Sequence, residues 1–190
     1  MTDVIAFLDF EASSLSKHSY PIEIAWVFEN AHSRSFLIRP EPNWIDWSPD
    51  AEKIHGISRD ELSHQGSPVV EVTREIMNAL SGHDLYASSP SWDGKWLSVL
   101  LRGGGLPRHA LRLRKSDDLF AAVASDILFN AGVKDINVDA FVADIIARTE
   151  TTAPAHRALP DARLELERLR LVQRASEAMA GTAVLNSTET

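Results

Sequence analysis

Five residues spread along the chain have side chains suited to holding divalent cations and moving a proton. Asp9 and Glu11 follow an apolar stretch near the start, Asp93 lies mid-chain, and His156 and Asp161 lie close together near the end. Carboxylate oxygens are hard ligands that favour Mg²⁺ or Mn²⁺ over zinc. Four carboxylates and a histidine therefore match a site that activates water against a phosphodiester.

Each of these positions also has an ordinary structural explanation. Asp9 and Glu11, two apart on a strand, share one face, where like charges raise each other's pKa until a cation relieves them. A solvated strand end explains the same pair and, for this pair alone, is the better explanation. An N-cap or first-turn role explains Asp93. Pro160 predicts that the last helix begins at about that residue, so Asp161 would lie in its first turn and His156 in the preceding loop.

The elements that must position these residues follow from hydrophobic periodicity and from capping signals. The pattern predicts strands over 4–10, 22–28, 35–38, 84–88 and 111–114. It predicts helices from Ser58, after a Ser67 N-cap, and over 92–101, 118–130, 139–148 and 160–180. This order indicates an α/β domain with a mixed sheet covered by helices. We expect one domain over residues 1–181 and a disordered tail over 182–190.

Composition narrows the classes of function. The 190 residues carry a formal charge of −8 and no cysteine, which excludes disulfides, thiolate zinc sites and a cysteine nucleophile. The acidic balance argues against a general grip on long duplexes, so short or single-stranded ends are the expected nucleic-acid substrates. The first ten residues carry no basic signal region and no apolar run reaches about 18 residues, so we expect a cytoplasmic protein without membrane contact.

Taken together, the motifs resemble the DEDDh (DnaQ-like) family of 3′–5′ exonucleases, over about residues 4–171. Asp9-x-Glu11 is similar to the first motif of the family, Asp93 to the second, and His156 with Asp161 to the third. The segment 54–57, Ile-His-Gly-Ile, also resembles a loop of that family, and so does the lead into the next helix at 65–68, Gln-Gly-Ser-Pro. The resemblance implies a ribonuclease H-like fold.

The resemblance also implies a mechanism with two Mg²⁺ or Mn²⁺ ions. Asp9 would bridge both ions, Glu11 and Asp161 would complete one ligand shell, and Asp93 would act largely through water. His156 would accept the proton of the attacking water, a role suited to imidazole. The products would be nucleoside 5′-monophosphates released from the 3′ end.

The candidate substrate contacts are Ser13, Ser14, Leu15, His55 and Trp92. The resemblance implies the roles of Leu15 and His55, whereas Trp92 is a candidate because an aromatic ring can stack on a base. A structural loop role is the alternative for His55, and a core role is favoured for Trp92. The family usually has Thr-Gly soon after the first-motif Glu, whereas Ala-Ser-Ser-Leu stands at 12–15 here, so substrate choice is less constrained than reaction type.

Three other hypotheses stay open at this point. The acidic charge gives a slight preference for RNA, but DNA is the alternative substrate, as in a repair or proofreading nuclease. A non-catalytic module that binds nucleic acid or a protein on the same fold is a second alternative, and an α/β domain with accidental motifs is the third. A homodimer is compatible with the resemblance, although no surface in the sequence identifies one.

Overall fold

The computed structural model describes residues 5–133, 136–149 and 156–188, and of residues 183–188 only the helical backbone. Within these ranges five strands form one sheet in the order β3-β2-β1-β4-β5. β1 is antiparallel to β2 and parallel to β4; β2 is antiparallel to β3, and β4 is parallel to β5. The strands are β1 Ile5–Ala12, β2 Pro21–Phe28, β3 Ser33–Leu37, β4 Asp84–Ala87 and β5 Leu113–Lys115.

Helices cover both faces of this sheet, and the predicted α/β class with a mixed sheet is confirmed. The helices in the described ranges are α1 Pro49–His55, α2 Arg59–Gln65, α3 Val69–Leu80, α4 Pro90–Gly103, α5 Ser116–Asn130, α6 Val138–Ala147 and α7 Ala158–Thr188. None of them combines the length and the apolar character needed to cross a bilayer.

The alternation of side chains along β1 separates two hydrophobic cores. Ala6, Leu8 and Phe10 belong to the core under α3 and α4, whereas Phe7 belongs to the core under α5, α6 and α7. Successive side chains of a strand leave opposite faces, so Asp9 and Glu11 share the face of Phe7. The two acidic side chains therefore point toward the layer that contains α7.

Two helix starts differ from the predictions. α7 begins at Ala158, so Pro160 lies inside the first turn, where its missing N–H has no intrahelical partner to lose. α3 begins at Val69 with Pro68 as its N-cap, because the Ser67 backbone is already engaged with β3 and its N–H donates to Leu37 O at 2.8 Å. Both predicted starts were thus wrong by one or two residues.

Other boundaries shift modestly. Helix α1 was not predicted, although Ser48 accepts from the Ala51 N–H and Pro49 takes the first helical position. β5 spans only 113–115, and the backbone of α7 stays helical to Thr188 rather than ending near residue 180. The division into a domain over 1–181 and a tail over 182–190 stays a prediction.

Candidate functional site

Three of the predicted acidic residues meet at one end of β1. Asp9 and Glu11 come from the second half of β1, and Asp161 comes from the first turn of α7. One carboxylate oxygen from each lies within 4.8 Å of the other two. Oxygens around one cation, each 2.0–2.6 Å from it, have separations of this size. The predicted convergence of these distant segments is therefore confirmed.

The charges in this cluster oppose one another. Burial raises the pKa of Asp9 well above its usual range, and the carboxylates of Asp93 and Asp161 raise it further. Burial, followed by Asp161 and Glu23, raises the pKa of Glu11 to about 8. A bound cation removes this repulsion by favouring the ionised carboxylates. The cluster brings hard carboxylate oxygens together although their negative charges repel, and such a donor set fits Mg²⁺ or Mn²⁺.

Asp93 adds a fourth carboxylate from the first turn of α4. Ser89 is the N-cap of that helix, so of the two structural alternatives for Asp93 the N-cap role is wrong and the first-turn position is confirmed. The side chain is 2% exposed, and its Oδ2 atom has no hydrogen-bond partner among the described residues. Burial raises the pKa of Asp93 to about 7, against hydrogen bonds from the Ser89 and Asp93 backbone. Because buried polar atoms are nearly always satisfied, this orphaned oxygen indicates a place for water or a cation.

His156 lies in the loop just before α7 and is exposed. Its φ of 44° lies in the left-handed region, which few residues other than glycine adopt. Burial raises the pKa of Asp161, and His156 opposes that shift, so the imidazole lies within electrostatic range of the acidic cluster. The structure thus places His156 within electrostatic range of Asp161, while its role as a base stays a prediction.

An ion pair between a buried carboxylate and a partly exposed arginine, which the sequence analysis missed, lies next to this loop. Glu23, 3% exposed, is paired with Glu11 in the β1–β2 register. Its two carboxylate oxygens accept from Arg157 at 2.7 and 2.9 Å, and one of them also accepts from the Ala158 N–H at 3.0 Å. A lone Glu in an apolar strand was the only sequence signal for this pair.

The loop after β1 is organised by Asp46, which the sequence analysis also missed. Ser13 and Ser14 are buried, and their hydroxyls donate to Asp46 Oδ2; the Ser16 hydroxyl donates to Oδ1 at 2.8 Å. Burial raises the pKa of Asp46, but these hydrogen bonds outweigh it and hold the pKa below its usual range. The two serines proposed as substrate contacts therefore shape the loop from inside.

The other two candidates on this side are more accessible. Leu15, at the tip of the loop, is 72% exposed. Trp92 is 38% exposed, its ring stacks on Trp96 at 5.6 Å, and the Lys95 ammonium lies 5.1 Å from its centroid. Lys95 and Trp96 also donate to Ser19, which fastens the loop to α4. Leu15 is thus free to meet a ligand, whereas Trp92 is already partly packed.

His55 ends α1 and is 5% exposed. Its Nδ1 accepts from the Ile57 N–H at 3.0 Å, so the neutral ring carries its hydrogen on Nε2. Burial lowers the pKa of His55, which favours this neutral ring. Nε2 is buried without a partner in the described part of the chain. His55 thus has the structural role in the loop, through its Nδ1 atom, and the N–H at Nε2 is left without an acceptor among the described residues.

A cavity of about 570 Å³ adjoins the loop. Its lining combines an imidazole, an amide, an indole, an aliphatic side chain and a carboxylate, from His18, Asn43, Trp44, Ile45 and Asp46. Asp46 accepts hydrogen bonds from the serines of the loop after β1, residues 13–20, which we call the serine loop. The cavity therefore lies beside this loop, which also carries Leu15. Its volume and mixed lining are typical of pockets for small organic groups.

Comparisons with known proteins place this geometry in context. No protein-family model and none of the curated proteins matches the sequence. Among solved structures, an exonuclease I–single-stranded DNA complex from E. coli with bound zinc matches 90% of this chain, at a TM-score of 0.65 and 15% identity. E. coli exonuclease I with a dA16 oligonucleotide matches 92% of this chain, at a TM-score of 0.63 and 14% identity. Exonuclease I from Methylocaldum szegediense matches 90% of this chain, at a TM-score of 0.63 and 16% identity.

These matches show the fold. The predicted ribonuclease H-like architecture is confirmed. The chain covers only 40–42% of the length of these three exonuclease I chains. Their activity and their single-stranded DNA ligands therefore belong to those proteins.

Proposed function

We propose that this protein is a metal-dependent 3′–5′ exonuclease. It would remove nucleotides from the 3′ end of single-stranded or short nucleic acids and release nucleoside 5′-monophosphates. The observation that carries this proposal is the meeting of Asp9, Glu11 and Asp161 oxygens within 4.8 Å, beside the buried orphaned oxygen of Asp93. The fold shared with exonuclease I supports the same reaction class.

The acidic residues would hold two Mg²⁺ or Mn²⁺ ions. Asp9, Glu11 and Asp161 would hold the ions through their carboxylate oxygens, and Asp93 would add a fourth carboxylate to the site. When bound, such ions stabilise the charge that develops on the phosphate and make water more acidic. The fit rests on donor chemistry, since hard oxygens whose pKa values are raised by burial and mutual repulsion gain most from a cation.

His156 would serve as the general base. An imidazole nitrogen would take the proton of the attacking water. The exposed loop position leaves the ring accessible to water and substrate. Its neighbours Arg157 and Ala158 are fixed to β2, so the loop is anchored immediately after the base.

The surroundings of the site suit the end of a single strand. Leu15 offers an exposed aliphatic surface against a terminal base, and His55 offers a buried unused donor. The cavity beside the serine loop has room for a further nucleotide group. The net charge of −8 makes extended backbone contacts weak, so recognition would concentrate on the end.

RNA and DNA remain two candidate substrates. The acidic chain gives RNA a slight preference, whereas the exonuclease I structures with the same fold contain single-stranded DNA, which favours DNA. Matched RNA and DNA oligomers of one sequence, labelled at the 5′ end and incubated with Mg²⁺ or Mn²⁺, would separate the two. We expect a ladder of products that shorten from the 3′ end, and a substrate blocked by a 3′-phosphate tests the polarity.

The same assay tests the proposal as a whole. Asp9→Asn provides the matched inactive control, because it keeps the size of the side chain and removes the shared charge. A wild-type protein that cleaves neither oligomer with either ion, yet binds them, would favour the non-catalytic module instead. Endonucleolytic products would contradict an exonuclease. The cytoplasmic location and the homodimer stay predictions.

A further inference from the structure

The loop that carries His156 is tied to the sheet by a single buried carboxylate. Glu23 lies on β2, 3% exposed, on the face covered by α7. It accepts two hydrogen bonds from the Arg157 guanidinium and one from the Ala158 N–H. Bidentate Arg–carboxylate pairs are among the more directional interactions in proteins. One side chain thus fixes two successive residues of another segment.

We propose that Glu23 and Arg157 are a positioning pair that sets the place of His156 and of the first turn of α7. His156 is covalently joined to Arg157, so the hydrogen bonds that hold Arg157 and the Ala158 N–H restrict where the His156 backbone can lie. Asp161 follows in the same first turn, and its N–H donates to Arg157 O at 3.3 Å. The pair therefore controls both the proposed base and one proposed metal ligand, and its kinetic consequence rests on the proposed function.

The backbone of His156 supports this inference. Its φ of 44° costs free energy in any residue other than glycine, and such conformations persist where surrounding contacts hold them. The three hydrogen bonds to Glu23 begin at the very next residue. A loop end held in this way restricts the backbone from which the imidazole projects.

Charge gives the pair a second use. Glu23 and Glu11 are register partners on adjacent strands, and like charges placed opposite each other are destabilising. The Arg157 guanidinium forms an ion pair with Glu23 at 2.7 Å, which offsets one of these two charges.

Glu23→Gln is the first test, because it keeps the shape and one acceptor while removing the charge. We expect kcat for oligonucleotide hydrolysis to fall about 10- to 100-fold, the range typical of partners that orient a metal-site residue, with KM changing less than about threefold. Arg157→Lys should give a loss of the same order. The double variant should lose little more than either single variant, because the residues act as one unit.

Two controls separate positioning from general damage. Glu75→Gln removes an ion pair with Arg34 on the opposite side of the sheet, where the side chains are 31% and 50% exposed, and it should leave kcat unchanged. Arg157→Ala should regain part of its activity in millimolar guanidinium, since the Arg157 side chain is 42% exposed and its site accessible. A fall in stability alone would give no such rescue.

A readout without turnover keeps this inference distinct from the proposed function. In the metal-free protein, the imidazole signal of His156, identified by its loss in His156→Ala, should shift and broaden in Glu23→Gln by NMR. A wild-type protein that hydrolyses nothing would remove the proposed function, and the NMR comparison would still decide the positioning role. Folded Glu23→Gln and Arg157→Lys variants with an unchanged His156 signal would overturn it, as would kcat values within twofold of wild type.

Discussion

The acidic cluster makes the stability of the metal-free protein depend on pH, and a bound metal should weaken that dependence. Burial, Asp161 and Glu23 raise the pKa of Glu11 from 4.5 to about 8. The folded protein thus binds this proton more tightly than the unfolded chain does. The stabilisation is complete below pH 4.5 and is lost as pH rises toward 8. We therefore expect the metal-free protein to become less stable between pH 5 and pH 9.

The size of the effect follows from the shift. A rise from 4.5 to about 8 corresponds to about 5 kcal/mol at about 1.4 kcal/mol per tenfold change. Glu11 is only partly buried, so solvent screening reduces this, and we expect about 2–3 kcal/mol. Glu11→Gln cannot ionise. Without metal it should match the wild type within about 1 kcal/mol at pH 5 and exceed it by about 2–3 kcal/mol at pH 9.

Urea unfolding followed by tryptophan fluorescence measures this difference, with EDTA or with Mg²⁺ at each pH. Mg²⁺ should flatten the pH dependence of the wild type and stabilise Glu11→Gln much less. Glu167→Gln is the control, because that carboxylate pairs with Arg174 on the exposed side of α7 and should behave as wild type. Wild-type stability that stays flat or rises from pH 6 to pH 9 without metal would refute the reasoning.

The remaining predictions concern turnover. Asp9→Asn and Asp161→Asn should each abolish Mg²⁺-dependent hydrolysis while the metal-free thermal melt persists, and retained activity in either variant would contradict the ligand assignment. His156→Ala should lose about 10²–10⁴ in kcat without losing Mg²⁺ affinity by calorimetry; an unchanged rate at neutral pH would exclude it as the base. His55→Phe removes the unused Nε2 donor, so KM for oligonucleotides should rise more than kcat falls, and unchanged kinetics would leave His55 a purely structural residue.

Much of the site was predictable because its spacing follows from regular elements. Period-two geometry put Asp9 and Glu11 on one face, and helix-start signals put Asp161 in the first turn of α7. The residues that escaped prediction act through partners far away in sequence. Glu23 meets Arg157 after 134 positions, and Asp46 meets Ser14 after 32. No local pattern distinguishes such a carboxylate from a solvated one.

Element boundaries were predicted correctly where the local sequence signal agrees with the tertiary contacts, and incorrectly where the two differ. The Ser-Pro pair at 48–49 does cap a helix, and applying the same pattern there would have found α1. The Ser-Pro pair at 67–68 does not cap through Ser67, because that residue forms a bridge with Ile38 beyond the end of β3. Identical local chemistry thus has two outcomes, decided by which backbone groups the sheet already uses.

The hydrogen bonds inside the serine loop limit which of its groups could distinguish ribose from deoxyribose under the proposed function. Ser13 and Ser14 are buried and their hydroxyls donate to Asp46, so neither hydroxyl is available to donate to a ribose 2′-oxygen. Within the proposed function, discrimination would come from groups other than these two hydroxyls, such as the exposed side chain of Leu15. The side chain of Asp46, 32 positions after Ser14, therefore affects which atoms of the loop are accessible to a nucleic-acid strand.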